Sequence, residues 1–245
     1  MKRQRIVIIG ASSHIAEHCA RLWAKQPVDF VLVGRDSARV QRVADDLRVR
    51  SPGTSTEVIE ADFHEPAAIT ALAAKLQAAA KIDIVLVAHG RLRPQPECEQ
   101  DLVAARDSLQ LNGVSPVLFA EAFAAQMAAA GGTVAVIGSV SGDRGRKKNY
   151  VYGAAKGMVD RYLQGMQHRF AGAALKAVLI KPGPTMTPMT AHMPARSLAP
   201  VEQVAQYIVD GIAVGKPVIY APAKWWLVMM IIRHLPRFIF NKLDI

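Results

Sequence analysis

The sequence IIGASSHIAEHCA, residues 8–20, joins a short apolar run to a stretch with helical spacing. In an open parallel sheet, the first turn from strand to helix can present backbone amides and a helix N-terminus to a pyrophosphate. Gly10 directly follows the apolar run, and Ser12 or Ser13 can cap the helix that begins there. The stretch therefore predicts a β-α unit that binds a nucleotide, although an ordinary capped turn accounts for the same residues.

Apolar runs of strand length continue along the chain and alternate with stretches typical of amphipathic or Ala-rich helices. Most runs are continuous, as expected of strands buried on both faces. The alternation predicts an α/β fold, a Rossmann-like, doubly wound parallel β-sheet of about seven strands with helices on both faces. The predicted strands are 6–9, 30–33, 58–59, 82–87, 133–137, 177–180 and 218–220, and the predicted helices are 15–25, 38–48, 67–79, 101–129, 152–169 and 201–214.

No repeat, low-complexity block or linker divides this pattern, so residues 1–245 are expected to form a single domain. The longest part without a clear element is 182–200, which contains five prolines and three methionines. It is interpreted as a segment over the substrate site, and irregular packing explains its composition equally well.

The chain carries 30 Lys and Arg against 20 Asp and Glu, a formal net charge of +10. Such a charge indicates anionic partners, namely phosphorylated ligands, nucleic acid or acidic lipid. Nucleic acid is disfavoured because no recognition module is present. The two cysteines, and an N-terminal apolar run too short for a signal peptide, predict reduced thiols and a cytoplasmic location; no metal is expected.

The end of the second predicted strand favours NADP(H) over NAD(H). The residue just past that strand meets the adenosine ribose in sheets of this kind, where an acidic side chain would bind the 2′-hydroxyl. Arg35 instead offers a guanidinium suited to a 2′-phosphate. Two alternatives stay open, because Asp36 could turn inward instead and Arg35 could be an ordinary surface residue.

The stretch VIGSVSGDRGRKKNYVYGAAKGMVD, residues 136–160, carries the strongest chemical signal. Tyr152 and Lys156 are four residues apart and share one helix face, while Ser139 ends a buried strand. A protonated tyrosine can donate to a forming alkoxide, and a lysine ammonium can stabilise the tyrosinate. Ser139 would hydrogen-bond the same carbonyl oxygen.

These residues resemble the short-chain dehydrogenase/reductase family, whose Tyr-x-x-x-Lys motif matches Tyr152 to Lys156 with Ser139 at the usual distance. Nearly the whole chain fits the family's order of elements. The resemblance implies that Tyr152 is the general acid/base, that Lys156 lowers its pKa and holds the nicotinamide ribose, and that Ser139 orients the substrate. Asn112, in LQLNGVSPV, matches the asparagine that supports a water-linked proton relay.

The resemblance also implies a nicotinamide cofactor, with departures from the family pattern. His14 and Ala16 replace two turn glycines, and Ala88 with His89 alters an Asn-Ala-Gly stretch. A non-glycine residue forced into left-handed φ costs roughly 1 to 2 kcal/mol, so we expect His14 to lie in a slightly rebuilt turn. The implied cofactor-binding residues are Gly10, Ser12, Ser13, His14, Ile15, Arg35, Asp62, Phe63, Ala88, His89, Gly90, Tyr152, Lys156, Pro182, Gly183, Thr185 and Thr187.

Two further stretches bear on the substrate. GDRGRKKNY, residues 142–150, places Arg144, Arg146, Lys147 and Lys148 before the catalytic tyrosine, as a solvated loop or a grip for a substrate phosphate. KWWLVMMIIRHLPRFIFNKLDI, residues 224–245, contains an apolar octet, Trp225 to Ile232, that is too short to span a bilayer, which needs about 20 residues. This hydrophobic, basic segment fits a membrane interface, or else a substrate pocket or dimer contact.

Together these stretches resemble a branch of the family, the decaprenylphosphoryl-2-keto-pentose reductases. The resemblance implies reduction of a lipid-linked 2-keto sugar to the arabinose form for cell-wall or polysaccharide synthesis. It also implies peripheral contact with the inner face of the membrane, a homo-oligomer and a flavoprotein oxidase as pathway partner. The alternatives are a soluble reductase of another ketone and a non-catalytic nucleotide-binding sensor or scaffold.

Overall fold

Seven strands within residues 3–244 join one parallel sheet. The computed structural model describes residues 3–244, so residues 1, 2 and 245 of the predicted domain and C-terminal segment lie outside the described residues. The strands are β1 Gln4–Ile9, β2 Val28–Gly34, β3 Ser55–Glu60, β4 Ile84–Val87, β5 Gly132–Ile137, β6 Leu175–Pro182 and β7 Val218–Ala221. Their order in the sheet is β3-β2-β1-β4-β5-β6-β7.

Helices cover both faces of the sheet. Alternate side chains of β1 enter different cores: Ile6 and Ile8 pack with α1, α2 and α8, whereas Val7 and Ile9 pack with α3, α6 and α7. This two-sided burial explains the continuous apolar runs, and the predicted Rossmann-like fold is confirmed. The helices are α1 His14–Trp23, α2 Ser37–Arg50, α3 Pro66–Ala79, α4 Gln95–Gln100, α5 Leu102–Leu109, α6 Ser115–Met127, α7 Tyr150–Arg169, α8 Val201–Ala213, α9 Lys224–His234 and α10 Arg237–Phe240.

The sheet order places a crevice at the carboxyl ends of β1 and β4. The chain moves outward from β1 to β3 and then returns to the other side of β1, so the connections after β1 and β4 diverge. Gly10 follows β1 and Ala88 follows β4 at this edge. The edge is where an open parallel sheet binds its ligand.

The helix predicted over 101–129 is interrupted, and in this respect the prediction was wrong. A π-helical turn, Gln110–Val114, separates α5 from α6, and the Ser115 N–H donates to the carbonyl of Gln110, five residues back. In a regular helix the ring of Pro116 would clash with the carbonyl four residues earlier, which belongs to Asn112. The wider turn therefore reshapes the chain at a candidate catalytic residue.

The sequence analysis did not predict three of the described helices, α4, α9 and α10. The segment 182–200 is irregular as predicted, with two short 3₁₀ turns, and its base is closed because the Met186 N–H donates to the Ala199 carbonyl at 2.8 Å. Within residues 3–244 no helix combines the length and apolar character needed to cross a membrane. Cys19 in α1 and Cys98 in α4 are free and buried.

Candidate active site

The turn after β1 is built on a residue that must be glycine. Gly10 has a φ of +83°, and a Cβ there would lie 2.7 Å from the Cβ and backbone nitrogen of His89. The Gly10 and Ala11 N–H groups donate to the carbonyl of Val33 at 2.8 and 3.0 Å, which holds the turn against β2. The half-buried residues that follow are Ser12, Ser13, His14 and Ile15.

His14 does not adopt a left-handed backbone, in keeping with the expectation that the turn is slightly rebuilt around it. Among the described residues only glycines have positive φ, and His14 is the first residue of α1. Ser13 occupies the N-cap position with an extended backbone, but its side chain makes no capping hydrogen bond. The helix therefore begins early enough to accommodate a side chain where the family turn has glycine.

Arg35 and Asp36 have different roles in the structure: one lines a cleft and the other caps a helix. Asp36 is the N-cap of α2 and its carboxylate accepts the N–H of Arg39 at 3.0 Å, so it does not turn inward. Arg35 lines a cleft of about 520 Å³ with a strongly basic lining. Its other basic side chains, which the sequence analysis missed, are His64, Arg91, Arg93 and Arg106. A cleft so charged fits a phosphorylated nucleotide.

The ends of β3 and β4 complete this edge. Asp62 is exposed, and its Oδ1 accepts the N–H of His64 at 2.8 Å. Phe63 is buried with its ring centroid 4.6 Å from that of His89. The His89 Nε2 lies 2.9 Å from Ser115 Oγ, and burial lowers the pKa of His89 to about 3. His89 is therefore a neutral packing group under the turn, beside the buried Ala88.

Ser139, Tyr152 and Lys156 come together at the carboxyl end of β5. Ser139 caps a 3₁₀ turn, and its Oγ accepts the Ser141 N–H at 3.0 Å. Tyr152 and Lys156 lie one turn apart on α7, with Lys156 Nζ 5.8 Å from the centre of the Tyr152 ring. The ammonium donates to the Ile137 carbonyl at 2.8 Å. The three predicted catalytic side chains thus form one cluster.

Burial moves both titratable groups of this cluster away from their ordinary values. It raises the pKa of Tyr152 to about 12, although hydrogen bonding with Ser139 works in the opposite direction. Burial also lowers the pKa of Lys156 to about 8. A tyrosine that is protonated at neutral pH, beside a lysine whose charge is costly there, can give a proton to an oxygen that is gaining negative charge.

Asn112, fully buried in the π-helical turn, uses its side-chain amide to hold the loop after β4. Its Oδ1 accepts the Arg91 N–H at 2.8 Å, and its Nδ2 donates at 2.9 Å to the carbonyls of Arg91 and Ser108. A Cβ at Gly90 would lie 2.9 Å from Asn112 Oδ1 and 3.8 Å from Lys156 Nζ. Asn112 therefore borders the catalytic cluster through Gly90.

The segment after β6 packs against the C-terminal helix. Pro182 is the last residue of β6, and a Cβ at Gly183 would lie 1.9 Å from Trp225 Nε1 in α9. The Thr185 hydroxyl donates to the Gly183 carbonyl at 2.9 Å. Thr187 begins the 3₁₀ turn that follows. Thr185 and Thr187 thus come shortly after the backbone at Gly183, against which α9 packs.

The basic loop predicted to contact substrate is bound to the C-terminal segment. Arg144 donates to the carbonyls of Ile232 and Leu235 at 2.5 and 2.7 Å, and its guanidinium carbon lies 3.7 Å from the centre of the Phe240 ring. Arg146 is turned inward and donates to Ser141 Oγ at 2.8 Å. At the surface, Lys147 and Lys148 pair with Asp244 at 2.8 and 2.9 Å.

The sequence analysis did not predict a buried ionic cluster that the structure contains. Lys181, 4% exposed, contacts Asp143, and its Nζ lies 2.5 Å from Asp160 Oδ2. Tyr220 donates to Asp143 at 3.0 Å. Breaking such a pair costs about 3–5 kcal/mol because the remaining charge is left buried. The cluster connects the loop after Ser139 to α7, β6 and β7. The sequence signal that could have indicated it was a lysine inside an apolar strand.

Comparison with known proteins agrees with this geometry. The family model for short chain dehydrogenases matches residues 4–197. An uncharacterized oxidoreductase of Mycobacterium tuberculosis is 30% identical over 241 residues, which cover 97% of this chain and 96% of that protein. The galactitol 2-dehydrogenase (L-tagatose-forming) of Cereibacter sphaeroides is 27% identical over 192 residues, 77% of this chain and 74% of that enzyme.

A solved structure shares the fold over almost its whole length. The short-chain dehydrogenase from Sphingobium yanoikuyae in complex with NADPH has a TM-score of 0.81 and 25% identity, covering 96% of this chain and 97% of its own. The family match includes the glycine turn after β1 and the cluster of Ser139, Tyr152 and Lys156. The chain therefore belongs to the short-chain dehydrogenase/reductase family and is an NAD(P)-dependent oxidoreductase.

Proposed function

We propose that the protein uses NADPH to reduce a 2-keto pentose carried on a polyprenyl phosphate, giving the arabinose form. The observation that carries this proposal is the attachment of an apolar, basic helix to the catalytic loop. Arg144, between Ser139 and Tyr152, donates to carbonyls at the C-terminal end of α9, while Trp225 of the same helix packs on Gly183. An apolar surface beside a carbonyl-reducing site suits a substrate that joins a sugar to a lipid.

The catalytic cluster gives each side chain a distinct role in the proposed reduction. Bound NADPH supplies the hydride that the carbonyl carbon accepts. Tyr152 donates its hydroxyl proton to the carbonyl oxygen, and the Lys156 ammonium stabilises the tyrosinate that remains. The Ser139 hydroxyl holds the same oxygen. Asn112 fixes the loop that carries Gly90, so that the floor of the site stays in place while the proton moves.

The preference for NADPH rests on Arg35. Its guanidinium lines the basic cleft, whereas the neighbouring carboxylate of Asp36 is already engaged as a helix cap. A 2′-phosphate would meet a positive charge there, and a ribose 2′-hydroxyl would lack an acidic partner. By the family resemblance, the turn at Gly10 would hold the pyrophosphate, and Thr185 and Thr187 would hold the nicotinamide amide.

Two observations support the 2-keto sugar phosphate as substrate. The relative from Cereibacter sphaeroides is described as forming L-tagatose, a 2-keto sugar, from galactitol. The ion pairs of Lys147 and Lys148 with Asp244 are exposed and screened by solvent, so a substrate phosphate can displace the carboxylate. The proposal includes a flavoprotein oxidase that supplies the ketone, a homo-oligomeric enzyme and work at the cytoplasmic face of a membrane.

The second candidate is a soluble reductase of free 2-keto sugars, which the galactitol dehydrogenase relative favours directly. NADPH oxidation should be followed with three substrates: a short-chain prenylphosphoryl 2-keto-pentose, the free 2-keto-pentose and L-tagatose. The lipid-linked substrate is expected to give a kcat/KM at least tenfold above the other two. Equal or higher kcat/KM with a free sugar would replace the proposal by the second candidate.

A further inference from the structure

Helix α9 has two apolar faces with different surroundings. Met229 is fully buried and Trp225 and Ile232 are partly buried, so these side chains face the body of the protein. The opposite face is also apolar but open to solvent. Its members are Trp226, Leu227, Met230 and Ile231, with exposed fractions between 38% and 58%.

The exposed residues form one continuous stripe. Positions i, i+1, i+4 and i+5 lie on the same side of a helix, and residues 226, 227, 230 and 231 have this spacing. Phe238 and Ile239 add exposed apolar area in α10. We name the set of Trp226, Leu227, Met230, Ile231, Phe238 and Ile239 the outer tail face. Contiguous exposed apolar surface rimmed by polar residues marks a site of interaction.

The rim of the outer tail face is cationic. At about 100° per residue, Lys224 and Arg233 fall at opposite edges of the α9 stripe. Arg237 and Lys242 follow, and none of these four cations pairs with a carboxylate among residues 3–244. No acidic residue occurs between 224 and 243. Asp244 is paired with Lys147 and Lys148, whose hydrogen bonds and then charges lower its pKa to about 2.

We propose that the outer tail face docks on the surface of an anionic lipid bilayer, with its aromatic and aliphatic side chains among the upper acyl chains and its cations against the headgroups. An apolar stripe with cationic edges is the arrangement that binds such an interface. A second copy of the chain is the poorer occupant. Two-fold pairing of this face would place Lys224, Arg233 and Arg237 of both copies in one contact without a compensating acid.

This inference rests on the proposed function and deepens it, because it names how a lipid-linked substrate reaches the site. The inner side of α9 packs on Gly183 through Trp225, and Arg144 fixes the end of α9 to the catalytic loop. Docking would therefore hold the loop that carries Lys147 and Lys148 at headgroup depth. The prenyl chain could stay in the bilayer while the sugar enters the site.

The full chain should be tested for co-sedimentation with phosphatidylglycerol/phosphatidylcholine vesicles and with phosphatidylcholine vesicles. The apolar variant is Leu227→Ser with Ile231→Ser, and its matched control is Val49→Ser with Leu102→Ser, exposed apolar positions elsewhere. The charge variant is Arg237→Gln with Lys242→Gln, matched by Lys75→Gln with Arg161→Gln. All eight positions are exposed, so the variants should fold, which circular dichroism checks.

Both tail variants are expected to bind anionic vesicles at least tenfold more weakly, while both controls match the wild type and neutral vesicles bind little. Wild-type binding that none of the tail substitutions changes would overturn the inference. The inference would also be overturned if the wild type did not bind vesicles and the variant Leu227→Ser with Ile231→Ser had a changed oligomer mass. The outer tail face would then serve self-association. Reduction of a water-soluble prenylphosphoryl substrate is a separate readout, so proposed function and docking can fail independently.

Discussion

Trp225 fills the space where a side chain at residue 183 would begin: a Cβ at Gly183 would lie 1.9 Å from the indole Nε1. The contact joins the end of β6 to α9. Any larger residue at 183 must therefore move α9 or the backbone after β6.

The variant Gly183→Ala is expected to destabilise the protein by about 1–3 kcal/mol, the usual cost of overpacking. The single variant Trp225→Ala should also be less stable than the wild type, since it removes a packed aromatic ring. The double variant should be more stable than the sum of the two losses predicts, because the smaller side chain makes room for the methyl group. Urea unfolding of all four proteins measures this coupling, and strict additivity would show that the contact carries no strain.

Replacing the proposed acid should slow turnover severely without unfolding the protein. Tyr152→Phe removes one hydroxyl, and kcat should fall about 10²- to 10⁴-fold, the typical contribution of a positioned proton donor. Tyr150→Phe is the matched control, because Tyr150 begins the same helix but is exposed. The control should keep wild-type kcat. Tyr152→Phe with normal folding and turnover would remove the assignment of the acid.

The buried ammonium of Lys156 should make the folded protein more stable as the pH rises. Because burial lowers its pKa from 10.5 to about 8, the unfolded chain holds this proton more tightly than the folded one. The penalty is about 3 kcal/mol, fully present below pH 8 and lost as the pH rises toward 10.5.

Lys156→Met should therefore be inactive and yet more stable than the wild type at pH 7. The net gain is about 1–2 kcal/mol, because the Ile137 carbonyl loses its donor. Urea unfolding at pH 7 and pH 10 checks the sign, and the advantage of the variant should shrink at the higher pH. In the wild type, kcat/KM for reduction should fall above about pH 8 as Lys156 loses its charge.

Arg35→Ala tests the origin of cofactor preference. A charged hydrogen bond to phosphate is worth about 1.5–3 kcal/mol, so 2′,5′-ADP should bind roughly 10- to 100-fold more weakly to the variant. Binding of 5′-AMP, which lacks the 2′-phosphate, should change little, and Arg161→Ala serves as a control on an exposed arginine. Calorimetric titration measures both ligands. An equal loss for the two would assign Arg35 to the nucleotide in general.

The sequence predicted those parts of the fold that depend on local pattern. The strands were predictable from their continuous apolar runs, because both faces of the sheet are covered. The position of Tyr152 and Lys156 on one helix face followed from their spacing of four residues. The long helix was misread at Asn112, where the ring of Pro116 forces a wider turn. Such a turn depends on one backbone clash and leaves no periodic signal.

Long-range contacts explain what the sequence could not predict in the site. Lys181 meets Asp143 and Asp160 only because β6, α7 and the catalytic loop converge, so its charge had no visible partner along the chain. The same holds for Arg144, whose carbonyl partners lie about 90 residues away, as the separations of 88 and 91 show. His14 avoids a left-handed backbone for a local reason, since α1 begins at that residue.

The burial of both cysteines has a practical consequence. Cys19 and Cys98 are the only thiols of the sequence, and both are buried in the folded protein. A cysteine introduced at an exposed site would therefore be the single position open to a maleimide fluorophore, with no need to remove the natural thiols first. Such a label could report motion of α9 in real time, in a chain otherwise left unaltered.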